Sequence, residues 1–113
     1  QKNRCKDLIR AIKKDDLLEL TKLMADDPNI INYRIDKDKN ALLYAVSHKK
    51  TATTKFLLKK AIEYECIVLL DSVTDIDDAV INMDFGQGYN ALLYAISKNK
   101  GKVARHLLQE GLA

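Results

Sequence analysis

The chain has 113 residues, 47% of them hydrophobic and 31% charged, with one Pro, four Gly and a formal net charge of +3. That length suits one domain with a core of its own, and that balance excludes the disordered and collagen-like classes. No apolar run approaches the roughly 18 residues of a membrane span, and two cysteines 61 positions apart, Cys5 and Cys66, suggest neither a zinc site nor a disulfide framework, so an intracellular setting is expected.

From the N-terminus, Leu8, Ile9 and Ile12 recur at helical spacing. Asp15 and Asp16 then interrupt and can cap a second helix whose apolar stripe is Leu17, Leu20, Leu23 and Met24. The stretch Ile30 to Asn40 holds the turn formers Asp36 and Asp38 and reads as a projecting loop or hairpin-like turn. A helix from about Ala41 to His48 follows, then another from about Ala52 to Lys60 with Phe56, Leu57 and Leu58 turned inward.

Beyond it, Ile62, Cys66, Leu69, Leu70 and Val73 share one helical stripe, either extending the preceding helix or forming a short extra one. Packing against neighbouring helices is its expected use, with a private partner surface or dimer contact as the other reading. The acids after it, Asp71, Asp75, Asp77 and Asp78, lack the alternating ligands and glycine of a calcium loop. Val80 to Asn90 forms a second turn region in which Gly86 and Gly88 permit positive φ, and Ala91 to Lys98 and Lys102 to Glu110 form the last helix pair.

The chain repeats itself. Asn40-Ala-Leu-Leu-Tyr-Ala-Val-Ser47 returns 50 positions later as Asn90-Ala-Leu-Leu-Tyr-Ala-Ile-Ser97, with seven of eight residues identical. Ile31 and Asn32 answer Ile81 and Asn82, Asp27 answers Asp77, and Leu57 with Leu58 answer Leu107 with Leu108. One offset held across a loop and two helices marks homologous units. A fainter copy at the front places Ala11 34 positions before Ala45, so the later spacing carries about 16 additional residues.

The expected organisation is one domain over 1–113, a fragment of something larger. Repeat 1 spans about 4–26, repeat 2 about 27–61, an insert about 62–76 and repeat 3 about 77–113. Helices of eight to ten residues do not persist alone, so they must shelter one another, with small Ala11, Ala45 and Ala95 admitting close neighbours. Leu42 and Leu92 are expected to face inward. A bare last pair would expose Val103, Leu107 or Leu112.

These units resemble the ankyrin repeat, whose first helix opens with T-P-L-H-x-A. Asn40-Ala-Leu-Leu-Tyr-Ala45 and Asn90-Ala-Leu-Leu-Tyr-Ala95 are similar to that opening, and Phe56-Leu-Leu58 and His106-Leu-Leu108 to the apolar triplet of the second helix. Gly111 falls on the closing glycine, and Asp26 to Asn32 on the linker between repeats. Asn stands for Thr, Ala for Pro, Leu for His, and Ala61 for the closing glycine of the middle unit.

The resemblance implies an all-α, ankyrin-like stack of antiparallel helix pairs, about three repeats, with projecting turns and a helical insert between the last two. It further implies a non-catalytic module that binds another protein or peptide through turn tips and the inner face of the first helices. On this sequence the turn positions are Asp36, Lys37, Lys39, Gly86, Gln87 and Tyr89, and the helix positions are Ser47, His48, Ser97 and Lys98.

Tyr44 and Tyr94 recur with the scaffold and read as core, whereas Tyr33 and Tyr89 suit contacts better and Phe85, matching Ile35, suits either role. His48-Lys49-Lys50 and Lys98-Asn99-Lys100 read as solvated turns, with a basic edge for an anionic partner such as nucleic acid as the alternative. A structural spacer or capping segment is the remaining rival. Of the two His, His48 follows Ser47 and His106 has no Ser or Cys beside it; with no phosphate loop and no metalloprotease pattern no catalysis is expected, and neither metal nor cofactor is expected.

Overall fold

The structure, a computed structural model, describes residues 2–37, 39–74, 83–86 and 88–109, and side chains at all of these except 2, 3 and 72–74. Among them the regular elements are helices: α1 Lys2–Lys13, α2 Leu17–Asp26, α3 Ala41–Ser47, α4 Thr51–Glu63, α5 Ile67–Thr74, α6 Ala91–Ser97 and α7 Gly101–Gln109. A 3₁₀ turn, Pro28–Asn32, follows α2. This is the all-α architecture the sequence leads one to expect, with none of the described helices long and apolar enough to cross a membrane.

Each helix start has a local cause. Asp16 caps α2 by accepting from the Glu19 amide at 3.1 Å, and Asn40 and Asn90 accept from Leu43 and Leu93 at 2.9 Å. Asn where the resemblance has Thr is therefore a working cap. Asp27 caps the 3₁₀ turn through the Asn29 amide and receives the Tyr33 hydroxyl at 2.5 Å. That carboxylate, with burial a smaller contribution, holds the Tyr33 phenol above its ordinary pKa.

Four connections share one geometry. Asp15, Lys49, Glu65 and Asn99 sit at positive φ between 54° and 62°. In each case the next residue donates its amide to a buried alanine carbonyl: Asp16 to Ala11, Lys50 to Ala45, Cys66 to Ala61 and Lys100 to Ala95, at 2.8–2.9 Å. These are Schellman closures in which the closing residue also opens the following helix. The connection from α4 to α5 belongs to the same set, so of the expected insert the described residues 62–74 both lengthen α4 and add α5, turning as the other pairs turn.

Two compact units divide the chain, residues 1–57 and 58–113, with α4 crossing the boundary. In the first, α1 packs on α2 and α3, and the 3₁₀ turn on α2 and α3. Its core is Leu8, Ala11, Ile12, Leu20, Met24, Ile30, Ile31, Leu42, Tyr44 and Ala45. Asp15 also accepts from the Thr53 amide at 3.2 Å and its hydroxyl at 2.5 Å, satisfying a fully buried side chain in the first turn of α4.

In the second unit α6 packs on α7, and Leu58, Ala61, Ile62, Leu69, Leu70, Ala91, Ala95, Val103 and Leu107 are buried. Glu65, the counterpart of Asp15, reaches Lys100 at the start of α7 at 3.7 Å, and His106 Nε2 lies 2.5 Å from Asp71 Oδ1.

Several inward expectations need correction. Leu42 is fully buried but Leu92 only half-buried, Phe56 is half-buried, and Tyr94 is partly open where Tyr44 is closed. Val103 and Leu107 are buried, whereas Leu93, at 45%, and Ile96, at 58%, are exposed. Identical residues in the two copies thus meet different neighbours. Helices α3 and α6 also end at Ser47 and Ser97, one residue before the expected limits, because His48 and Lys98 are their C-caps. Asp38, Asp75 to Asp78, Glu110, Gly111 and Leu112 lie outside the described residues.

Candidate functional site

The turn regions form matching hairpins. In the first, the Ile35 amide donates to the Lys39 carbonyl at 2.9 Å and the Lys39 amide to Asp36 at 2.8 Å. In the second, Phe85 donates to Tyr89 at 2.6 Å and Tyr89 to Gly86 at 3.1 Å. Gly86 adopts φ +106° with open space where a Cβ would stand, and its amide donates to the Asp84 carboxylate at 2.8 Å. There the glycine is required by conformation and not by crowding. Lys37, exposed at the first tip, takes φ +53°; Gln87 lies outside the described residues.

Next to these tips, Ser47 and Ser97 donate back to the Tyr44 and Tyr94 carbonyls at 3.0 and 2.8 Å. His48 stacks on the Tyr44 ring, centroids 4.1 Å apart, with Nδ1 3.0 Å from the Tyr44 carbonyl. At the corresponding point of the second unit, Lys98 Nζ stands 5.5 Å from the centre of the Tyr94 ring. One register position covers the tyrosine in both units, with a stacked imidazole in one and an ammonium in the other.

The consequence is a cleft in the second unit of about 520 Å³, lined by Lys59, Phe85, Gly86, Tyr89, Tyr94, Ser97 and Lys98. Phe85 meets Tyr94 edge to face at 5.6 Å and 82°. Lys59 Nζ lies 5.8 Å from the Phe85 centroid and 5.7 Å from that of Tyr94. Tyr94 donates its hydroxyl to Glu63, which also faces Lys60 at 3.6 Å. Burial first, then this carboxylate, pushes the Tyr94 phenol far above its usual pKa, so it stays a neutral donor.

Of the residues nominated from sequence, the cleft brings together Gly86, Tyr89, Ser97 and Lys98. Asp36, Lys37, Lys39, Ser47 and His48 belong to the first unit and occupy the equivalent hairpin and helix end. Sequence reasoning did not place Lys59 in the cleft, and it assigned Tyr94 to the core. The 50-residue offset carries the missing signal, because it pairs Ile9 with Lys59, Ile35 with Phe85, Lys39 with Tyr89 and His48 with Lys98. These four pairs differ, whereas the octet between them repeats.

Among the described residues no three His, Cys, Asp or Glu side chains gather as a metal site would need. A family model of ankyrin repeats, in three copies, matches residues 8–112. No curated protein and no solved structure matches the chain significantly.

Proposed function

Because the chain belongs to the ankyrin-repeat family, whose members are generally protein–protein interaction modules and typically non-catalytic, we propose that it holds a protein partner through its turn tips and the adjoining ends of its first helices. The observation that carries this reading is the aromatic cleft of the second unit, where hairpin residues Phe85, Gly86 and Tyr89 and helix residues Tyr94, Ser97 and Lys98 line one concavity. In the first unit the equivalent hairpin and helix end carry the further candidates Asp36, Lys37, Lys39, Ser47 and His48, and by sequence Gln87 belongs with those of the second.

The mechanism is pre-organisation. The hairpins are fixed by backbone hydrogen bonds and the helix ends by Schellman closures, so few side chains lose freedom when a partner docks. Aromatic side chains supply large contact area at low entropic cost, as hot-spot residues do.

A displayed library of random peptides, selected on the immobilised chain, tests this reading. Enriched peptides are expected to lose binding to Tyr89→Ala and Lys98→Ala variants whose melting temperatures match the parent. Enriched peptides indifferent to both substitutions would move the site elsewhere, and failure to enrich any would remove the interaction reading.

A further inference from the structure

We propose that the cleft of the second unit takes an acidic peptide segment, seating an apolar or aromatic side chain against Phe85, Tyr89 and Tyr94 and a neighbouring carboxylate on the ammonium groups of Lys59 and Lys98. This inference rests on the reading of the cleft as a protein-docking site and adds the chemistry of the occupant.

Charge is the first support. Lys59 and Lys98 both stand within 6 Å of the Tyr94 ring centre, and among the described residues neither has a carboxylate within 4 Å. Glu63 is taken up by the Tyr94 hydroxyl and Lys60. Two like charges gathered on one ring repel each other, and an anion between ring and solvent relieves that repulsion while both cations keep their aromatic contact. The cleft is thus complementary to a single negative group lying next to an apolar one.

Divergence between the copies is the second. The octet around Tyr94 repeats that around Tyr44 almost residue for residue, with Tyr94 and Ser97 of the cleft among the repeated residues, yet the other five lining positions answer to Ile9, Ile35, Asp36, Lys39 and His48 in the first unit. Relative to the first unit, Lys59 and Lys98 stand in place of Ile9 and His48 and Gly86 in place of an acid, while Phe85 and Tyr89 enlarge the aromatic surface, Tyr89 at the loss of the Lys39 ammonium.

Single-stranded nucleic acid also combines stacking with phosphate contacts. A peptide is favoured because the chain carries only +3 in net charge with its acids and bases interleaved, whereas a strand-binding groove needs a track of cations for successive phosphates.

Fluorescence polarisation with labelled probes tests the proposal on the full chain. The probes are a capped hexapeptide of alternating Glu and Phe, the same peptide with Gln for Glu, and an oligothymidylate. The Glu–Phe peptide is expected to bind best. Its affinity should fall about tenfold or more for the Gln peptide and for the Lys59→Gln/Lys98→Gln double variant. A Lys13→Gln/Lys102→Gln variant, which loses the same charge elsewhere, should bind as the parent does. Equal binding of the Gln peptide, or equal weakening by both double variants, would overturn the acidic chemistry. Cleft-dependent library peptides lacking acids would do the same while leaving the docking reading intact. Binding of the oligothymidylate in preference to the peptide, lost in Lys59→Gln/Lys98→Gln, would assign the cleft to nucleic acid.

Discussion

Leu42 and Leu92 are the same residue at the same point of a repeated octet, yet one is fully buried and the other half-exposed. An introduced carboxylate is costly only where water cannot follow it. Leu42→Asp is therefore expected to destabilise the chain by roughly 3–5 kcal/mol, and Leu92→Asp by clearly less, in urea titrations of the two variants. Equal losses would contradict the difference in burial. Asp15 answers to a different demand, since among the described residues it is the acceptor for both the buried Thr53 hydroxyl and its amide. Removing that acceptor in Asp15→Ala should cost about 1–3 kcal/mol, and Asp15→Asn, which keeps a carbonyl oxygen, a smaller amount. Tyr94 makes a pH prediction. Its folded pKa is raised above the ordinary 10.0, so the stability it contributes is complete below that value and is lost as pH rises beyond it. Absorbance titration at alkaline pH should show one phenol ionising well after the others, absent in Tyr94→Phe; a parent curve with no late phenol would contradict the Glu63 contact.

At the scale of elements, the helix pairs owe their turns to one device, a left-handed residue following a helix whose third-last carbonyl belongs to an alanine. None of Asp15, Lys49, Glu65 and Asn99 is glycine. Lys49 is exposed and its side chain makes no ion pair among the described residues, which isolates the backbone effect. The left-handed conformation costs a side-chain-bearing residue about 1–2 kcal/mol, while glycine adds about 0.5–1 kcal/mol of chain entropy to be lost on folding. The first effect wins, and Lys49→Gly should raise the melting temperature slightly; a fall would show that the turn is not strained. This device also explains why the α4–α5 pair was hard to see in the sequence. With no glycine to announce it, the connection 63–66 reads as polar residues inside an apolar stripe. Ala61 looks like a missing closing glycine when it is the counterpart of Ala11, 50 positions on.

For the molecule as a whole, that counterpart relation matters more than any single contact. Lys13 and Glu63 end α1 and α4 at the same offset, Asp16 and Cys66 open α2 and α5, and Leu8, Ile12 and Leu20 are buried like Leu58, Ile62 and Leu70. The 50-residue correspondence, evident in sequence only from about residue 27, therefore extends in structure to the front of the chain. Because α1 turns directly into α2, α3 into α4, α4 into α5 and α6 into α7, most native contacts among the described residues are local, and refolding is expected to finish within milliseconds in stopped-flow circular dichroism. Phases of seconds, of the kind long-range strand pairing produces, would contradict this.

The sequence by itself determined most of the helices, the cap at Asp16, the family resemblance and the two turn regions, because periodicity and capping are properties of neighbours a few residues apart. The meaning of repeated residues was decided by tertiary structure. Whether Tyr94 is core like Tyr44 or the floor of a cleft depends on Lys59, Phe85 and Lys98 arriving from three separate segments, and burial is a sum over such arrivals that no local pattern contains.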